Sequence, residues 1–351
     1  MGFLRLSLAA IVLLGHLGRP FFFATGGIAV CCFYIISGFY IQLLLSQPDL
    51  KVRNFYLSRA FRIYPLYWLF FVIRSPFLKS LFALLHAGQF KLTLIYAFNN
   101  LFLFGQDVLR LTQYNQQSGD IAPILYSAQL KEGYVLGQHL TIFGQSWTLA
   151  IELMFYLIAP LLLSLSTRTL SLLLCIFILT KAYLIEAGLF ASPWFSNFFP
   201  IELGFFIAGA LGYRAYSAMQ QRGWHKHHAY QAAACIFLIV ILASLTSSLE
   251  QSTIYVIATC ATAAGVPFLF GACRYNLFDR RLGDLSYPIY ISHMTVFMFL
   301  RHQFEPLDIK YGGAIYISGV LLASIVAYLL IERPVDRWRH QRFPTHTQIA
   351  S

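Results

Sequence analysis

Three of the ionisable residues within strongly apolar segments of the sequence are candidates for acid–base chemistry. His16 is in the first such segment, Glu152 in a central one and His293 in a late one. An ionisable side chain at membrane depth is costly unless a reaction or a partner requires it, and histidine has the acid–base range of a general base. The sequence therefore predicts either a base with an orienting carboxylate or buried polar contacts, such as Glu152 with Arg5 or Lys181.

Arginines near the first and third apolar segments predict a phosphate site. Arg59 and Arg62 are three residues apart and share one face of a helix, and guanidinium groups bind phosphate through paired hydrogen bonds. Arg5 precedes His16 by close to three helical turns, or roughly 16 Å. The alternative, which the Arg59–Arg62 pair alone favours, is an ordinary basic anchor at a cytoplasmic membrane surface.

Small and aromatic side chains in the same segments are further candidates for substrate contacts. Ser37 and Gly38 leave room for a ligand chain or for a closely packed helix. Trp147 could stack on a sugar ring, although Trp147 and Tyr156 also suit anchors at the membrane surface. These residues alone leave both interpretations open.

The composition identifies the elements that must position these residues. The 351 residues are 58% hydrophobic and 11% charged, whereas soluble domains are about 25% charged. A helix needs about 20 apolar residues to cross a bilayer. We predict an all-α integral membrane protein with about ten transmembrane helices, near residues 3–18, 26–45, 63–85, 144–166, 168–187, 196–216, 231–248, 252–272, 284–302 and 311–331.

The basic residues predict the orientation of these helices. The net charge is +11, and lysines and arginines lie between the apolar blocks, which indicates a membrane protein rather than a nucleic-acid-binding one. With both termini cytoplasmic, most of the 25 basic residues are inside. Residues 63–143 are predicted to hold one crossing and an in-plane or re-entrant segment, with three crossings as the alternative, and 106–143 an outer loop. A single domain would span 1–340, and 341–351 would form a short, disordered cytoplasmic tail.

Six short motifs follow one another along the chain. They are Arg5 with His16, the Ser37-Gly38-Phe39 run, Arg59 with Arg62, the segment 146–156, the segment 286–293, and Glu332-Arg333-Pro334. Each motif is weak alone, but the ordered set resembles the membrane-bound acyltransferase family 3. The resemblance implies a ten-helix acyltransferase of the bacterial inner membrane that modifies glycans or other cell-envelope molecules.

The resemblance also implies roles for individual residues. His16 would be the catalytic base, and Arg59 and Arg62 would contact coenzyme A. Arg5 and Glu152 match functional positions of the family, so we expect Arg5 at the donor site and Glu152 beside His16. From their chemistry we expect four side chains to contact substrate, namely Ser37, Trp147, Tyr156 and His293.

The expected reaction transfers an acyl group, in our prediction acetyl, from acyl-CoA to a hydroxyl of a cell-surface polysaccharide or related glycan. Acyl-CoA is then a co-substrate, the acceptor is a glycan or lipid-linked glycan, lipids surround the protein, and no permanently bound cofactor or metal is expected. Intramembrane His and Glu would also suit a proton-coupled transporter or flippase of a glycan or lipid intermediate. The sequence has no internal repeat, which argues against a transporter built from two related halves.

Overall fold

The computed structural model describes residues 1–16, 25–74, 76–126, 129–222, 250–303 and 309–343. These ranges are mostly helical, as predicted. The helices, in chain order, are α1 (Gly2–Gly15), α2 (Gly26–Leu45), α3 (Val52–Arg74), α4 (Phe77–His86), α5 (Phe90–Phe102), α6 (Gln106–Leu109), α7 (Trp147–Leu162), α8 (Thr167–Glu186), α9 (Pro193–Ser196), α10 (Phe199–Gln221), α11 (Gln251–Cys273), α12 (Leu277–Asp284), α13 (Ser286–Gln303), α14 (Ile309–Ala327) and α15 (Arg333–Arg342). A π-helical turn, Tyr328–Glu332, joins α14 to α15.

Several described helices are long and apolar enough to cross a membrane. There are five of them, Gly26–Leu45, Thr167–Glu186, Pro193–Gln221, Gln251–Cys273 and Gly313–Arg342. The bent pair α3–α4, with a 72° angle between its helices, would make a sixth if it forms one span, and α1 and α7 are shorter apolar helices. Ten crossings and cytoplasmic termini therefore stay predictions, and the crossing expected at 231–248 lies outside the described residues.

Two predicted segments differ from the structure. The third crossing, expected at 63–85, is instead α3, which begins at Val52, followed by a bend and α4. Hydropathy marks only the apolar part of a helix, and the polar residues of the first turns of α3 do not interrupt it. The outer loop expected at 106–143 contains an antiparallel sheet of order β2-β1-β3, with β1 at Thr112–Asn115, β2 at Ile121–Pro123 and β3 at Tyr134–Leu136, followed by a 3₁₀ turn, Gly137–Leu140.

The chain divides into two compact units. The first comprises 1–66, 159–175 and 204–351, and the second comprises 67–158 and 176–203. The single domain predicted for 1–340 stays a prediction. Helix α15 continues to Arg342, and the rest of the predicted tail beyond residue 343 lies outside the described residues.

In the first unit, glycines allow α2 and α10 to pack in direct backbone contact. A Cβ atom on Gly38 would lie 2.0 Å from the carbonyl oxygen of Phe206, and one on Gly209 would lie 1.9 Å from that of Ile35. Small residues at helix crossings favour association in membranes because they let backbones approach closely. Gly38 is therefore the packing notch that its size predicted.

A second contact in this unit joins α1, α13 and α14. Its buried core contains Ala9, Leu13, Ile289, Tyr316 and Val320. His16 lies one helical turn after Leu13, and His293 lies one turn after Ile289. The cluster thus fixes α1 against α13 at the level where both histidines lie.

Within the second unit, polar side chains hold short elements together. The side chain of Asn100 donates to the carbonyl of Leu140 and accepts from the N–H of Ile142, both at 2.8 Å. Lys181 and Glu202 form a buried ion pair of 2.7 Å. Lys181 therefore does pair with a carboxylate. That carboxylate belongs to Glu202, for which no role was predicted from the sequence.

Candidate functional site

The two histidines that were predicted at membrane depth lie together in the first unit. His16 is the residue directly after α1, and His293 lies in α13. Their ring centroids are 4.9 Å apart, with an angle of 55° between the ring planes. His16 is exposed, whereas His293 is fully buried. We call these two residues the histidine pair.

Hydrogen bonds define which nitrogen of each ring carries the hydrogen. Nδ1 of His16 is 2.8 Å from the carbonyl oxygen of Val12, and Nδ1 of His293 is 2.6 Å from that of Tyr290. A carbonyl oxygen only accepts hydrogen bonds, so each Nδ1 must be the donor. In the neutral form each Nε2 then carries a lone pair and can accept a proton or a hydrogen bond.

Nε2 of His293 is buried and has no hydrogen-bond partner among the described residues. Leaving such a group unsatisfied costs about 1–3 kcal/mol. A hydroxyl group placed between the two rings would remove this cost by donating to a nitrogen. The histidine pair therefore has the chemistry of a site for an alcohol, with one exposed and one buried basic nitrogen.

The start of α1 is held by α12. The carboxylate of Asp279 accepts hydrogen bonds from the backbone N–H groups of Gly2 and Phe3, at 2.7 and 2.9 Å, and contacts the amino group of Met1. Burial alone would raise the pKa of Asp279, but these donors hold that pKa below its ordinary value. Because the first turn of α1 is fixed in this way, so is the backbone that carries Arg5.

The predicted donor-site arginines belong to a group of charged side chains. The guanidinium of Arg62 forms an ion pair with Glu332, lies 3.6 Å from Asp336 and sits 5.8 Å from the ring centroid of Tyr287. Arg339 pairs with Asp336 at 2.7 Å. Carboxylates that follow the last apolar segment therefore neutralise part of the basic charge.

Arg59 and Arg5 complete this group. Arg59 donates to the hydroxyl of Ser58, and Arg339 donates to the backbone carbonyl of the same residue, so these two like-charged groups lie close and repel each other. The positive charge of Arg5 attracts the Glu332 carboxylate. The structure thus brings all three predicted arginines into one cluster. We call it the arginine cluster, and its members are Arg5, Arg59, Arg62, Glu332, Asp336 and Arg339.

No role was predicted from the sequence for the acidic members of this cluster, Glu332 and Asp336. Glu332 was named only as part of a motif, and Asp336 not at all. The available signal was their spacing, because carboxylates four residues apart share one face of a helix. An acidic pair that directly follows the last apolar segment predicts basic partners in a chain whose arginines are predicted to be cytoplasmic.

Two helices connect the arginine cluster with the histidine pair. Helix α1 carries Arg5 near its start and leads directly to His16. In α13, the hydroxyl of Tyr287 donates to the carbonyl of Ile63 at 2.6 Å, next to Arg62, and His293 follows six residues later. The two groups are therefore parts of one packed framework.

The remaining predicted site residues lie elsewhere in the chain. Ser37 is half-buried beside the Gly38 packing contact on α2. In the second unit, Tyr156 donates to the Glu152 carboxylate at 2.5 Å, and the ring centroid of Trp147 is 5.2 Å from the guanidinium carbon of Arg110. The roles of Ser37, Trp147, Tyr156 and Glu152 toward substrate or His16 stay predictions.

Comparison with known proteins identifies the family. The family model described as an acyltransferase domain, that of the acyltransferase 3 family, matches residues 2–333. This match includes the histidine pair and most of the arginine cluster. No curated protein and no solved structure matches the chain. The chain belongs to the acyltransferase 3 family and is a multi-pass membrane acyltransferase.

Proposed function

We propose that the protein transfers an acetyl group from acetyl-CoA to a hydroxyl of a cell-surface polysaccharide or related glycan, with His16 as the general base. One observation carries the proposal: in a member of an acyltransferase family, two imidazole rings lie 4.9 Å apart between centroids, and each donates through Nδ1 to a backbone carbonyl, which leaves Nε2 for the substrate. Family membership favours acyl transfer over the transporter alternative.

The proposed chemistry follows from the position of the proton on each ring. Nε2 of His16 removes the proton from the acceptor hydroxyl, whose oxygen attacks the thioester carbonyl carbon. The carbon–sulfur bond then breaks, the new ester leaves, and the coenzyme A thiolate takes the proton back from the imidazolium. A positioned general base of this kind contributes about 10²–10⁴-fold to the rate.

His293 would position the acceptor beside this base. Its buried Nε2 has no hydrogen-bond partner among the described residues, so it can accept a hydrogen bond from the substrate. His16 is the better base of the two because its exposed ring can reach the substrate and release the proton. Glu152 is proposed to orient His16, in keeping with its match to a functional position of the family.

The donor would bind at the arginine cluster. Arg5, Arg59 and Arg62 supply positive charge for the phosphates of acyl-CoA, on the side of the inner membrane that is cytoplasmic in our prediction. Glu332 and Asp336 keep Arg62 in place, which would pre-organise it for the incoming ligand. The pantetheine arm of acyl-CoA would then extend along α1 toward His16, and the glycan or lipid-linked glycan would enter from the opposite side.

Substitution of His16 tests the proposal. Membranes that contain His16→Ala should incorporate at least about 100-fold less label from acetyl-CoA into envelope polysaccharide than wild type. His86→Ala, at an exposed histidine at the end of α4, is the matched control and should keep full activity. Undiminished incorporation by His16→Ala would rule out His16 as the base, and uptake of glycan without label transfer would favour the transporter.

A further inference from the structure

A cavity of about 310 Å³ lies between the start of α3 and the end of α15 in the first unit. It contains no acidic side chain. Basic, polar and aromatic groups line it, namely Arg53, Asn54, Leu57, Phe61, Trp338, Arg342 and Phe343.

The two arginines of this cavity differ from those of the arginine cluster. Arg53 and Arg342 are exposed, and neither has a hydrogen bond or an ion pair with a side chain of the described residues. Arg62 and Arg339, in contrast, pair with Glu332 and Asp336. The cavity thus carries two positive charges that nothing in the described part of the chain neutralises.

Helix geometry separates the cavity from the proposed donor site. Arg53, Leu57 and Phe61 are four residues apart and therefore share one face of α3. Arg62 follows Arg53 by nine residues, which at about 100° per residue places it on the opposite face. A ligand in the cavity would not lie on the Arg59–Arg62 face of α3.

The wall of the cavity is aromatic and partly open. Phe61 and Trp338 are in edge contact at 4.8 Å between centroids, and Phe343 lies 5.9 Å from Trp338. Trp338 is 45% exposed and Val52, at the start of α3, is 51% exposed. Exposed tryptophan beside arginine is typical of the headgroup level of a membrane protein.

We propose that this cavity binds the phosphate of an anionic phospholipid headgroup, with Arg53 and Arg342 as its ligands and the aromatic wall against the glycerol and upper acyl carbons. Coenzyme A shares one feature with such a lipid, an anionic phosphate ester that two arginines could bind. The lipid is favoured because the cavity opens beside exposed apolar side chains and on the face of α3 opposite Arg59 and Arg62. The site is separate from the proposed reaction.

Lipid retention by the purified full-length protein tests the proposal. Native mass spectrometry would compare added phosphatidylglycerol with phosphatidylcholine for wild type and for the double variant Arg53→Gln/Arg342→Gln. Loss of two charge-assisted contacts should weaken phosphatidylglycerol retention by at least about tenfold, with a smaller loss for phosphatidylcholine, whose choline cation offsets the charge of its phosphate. Arg53→Lys/Arg342→Lys, which keeps both charges, should retain more phosphatidylglycerol than the glutamine variant.

Two further measurements can overturn it. The control Arg168→Gln/Arg222→Gln removes two other exposed arginines, and an equal loss of phosphatidylglycerol there would mean unspecific attraction to basic charge. Coenzyme A binding, measured by calorimetry, should be the same for wild type and Arg53→Gln/Arg342→Gln. If that variant instead loses coenzyme A and keeps the lipid, the cavity belongs to the donor. Unchanged retention of both ligands would also refute the lipid site.

Discussion

The arginine cluster and the histidine pair solve the problem of polar groups in an apolar fold in opposite ways. In the cluster, Arg62 and Arg339 are matched by Glu332 and Asp336. In the histidine pair, the buried Nε2 of His293 has no partner in the described ranges. The charges of Arg62 and Arg339 thus find ionic partners within the protein, although Oε2 of Glu332 and Nε of Arg339 lack hydrogen-bond partners in the described ranges. The buried nitrogen of the histidine pair has no partner until another molecule contributes a donor.

Because of this difference, substitutions in the arginine cluster should mainly lower stability, and substitutions in the histidine pair should mainly lower turnover. Removing one member of a neutralised buried pair leaves a charge that the fold must tolerate, so the main loss should be in folding free energy. Removing an unsatisfied nitrogen takes nothing from the unliganded fold, so the loss should be in turnover. Substitutions in each group can therefore be compared by measuring stability and activity side by side.

The largest expected effect on stability comes from Arg62→Leu. This change leaves the Glu332 carboxylate, which is only 5% exposed, without its ion-pair partner, and should cost about 3–5 kcal/mol. The measurement is thermal unfolding in detergent. The double variant Arg62→Leu/Glu332→Leu should recover most of the loss, because an apolar pair replaces a charged one. A single variant as stable as wild type would mean that the cluster is solvated rather than structural.

A smaller effect, on activity, is expected for His293→Phe. Loss of a substrate hydrogen bond worth about 1.5–3 kcal/mol should lower the transfer rate roughly 10- to 100-fold. The unfolding temperature should change little, since phenylalanine fills the ring volume and the loss of the Nδ1 hydrogen bond to the Tyr290 carbonyl is offset by removal of the unsatisfied Nε2. If instead the unfolding temperature fell and the activity per folded molecule stayed constant, His293 would be a structural contact only.

Local sequence patterns predicted individual helices, such as α2, whose bounds depend on the residues of the segment itself. Helix α2 begins and ends where the apolar run does, and Thr25 caps it by accepting from the N–H of Ile28. The contact between His16 and His293 was not predicted, because neither motif indicates that α1 and α13 are neighbours. The short strands β1 to β3 were missed, since three or four residues are too few to establish an alternating pattern.

Other features depend on contacts that sequence spacing cannot show. Arg62 and Glu332 are 270 residues apart in the chain, so their ion pair was not predictable from either motif. The same holds for Lys181 and Glu202, which sit on different helices. A charged residue in an apolar segment predicts that a partner exists, but the fold decides which residue that partner is.

Tyr287→Phe should have a modest effect on stability. It removes the hydrogen bond from α13 to the carbonyl of Ile63, which should cost about 1 kcal/mol. The aromatic ring beside Arg62 remains, so the KM for acetyl-CoA should not change. Tyr328→Phe is the matched control, because its hydroxyl is 3.5 Å from Asp284 and its hydrogen bond is weaker. Equal unfolding temperatures for the two variants would contradict a structural link through Tyr287.

The smallest expected effect is on the KM for acetyl-CoA. It tests whether the arginine cluster binds the donor or only forms structural ion pairs. Glu332→Gln keeps the shape of the side chain but removes its charge. Asp336 still lies beside Arg62 and holds it in place, so Arg62 becomes freer to bind phosphate. If Arg62 contacts acyl-CoA, the KM for acetyl-CoA should fall by about three- to fivefold, corresponding to about 0.6–1 kcal/mol, with kcat unchanged. The same substitution at Glu250, an exposed residue before α11, should change neither constant. A KM that rises for Glu332→Gln would show that the carboxylate orders Arg62 for the donor more than it competes with it, and the donor site would then require the intact ion pair.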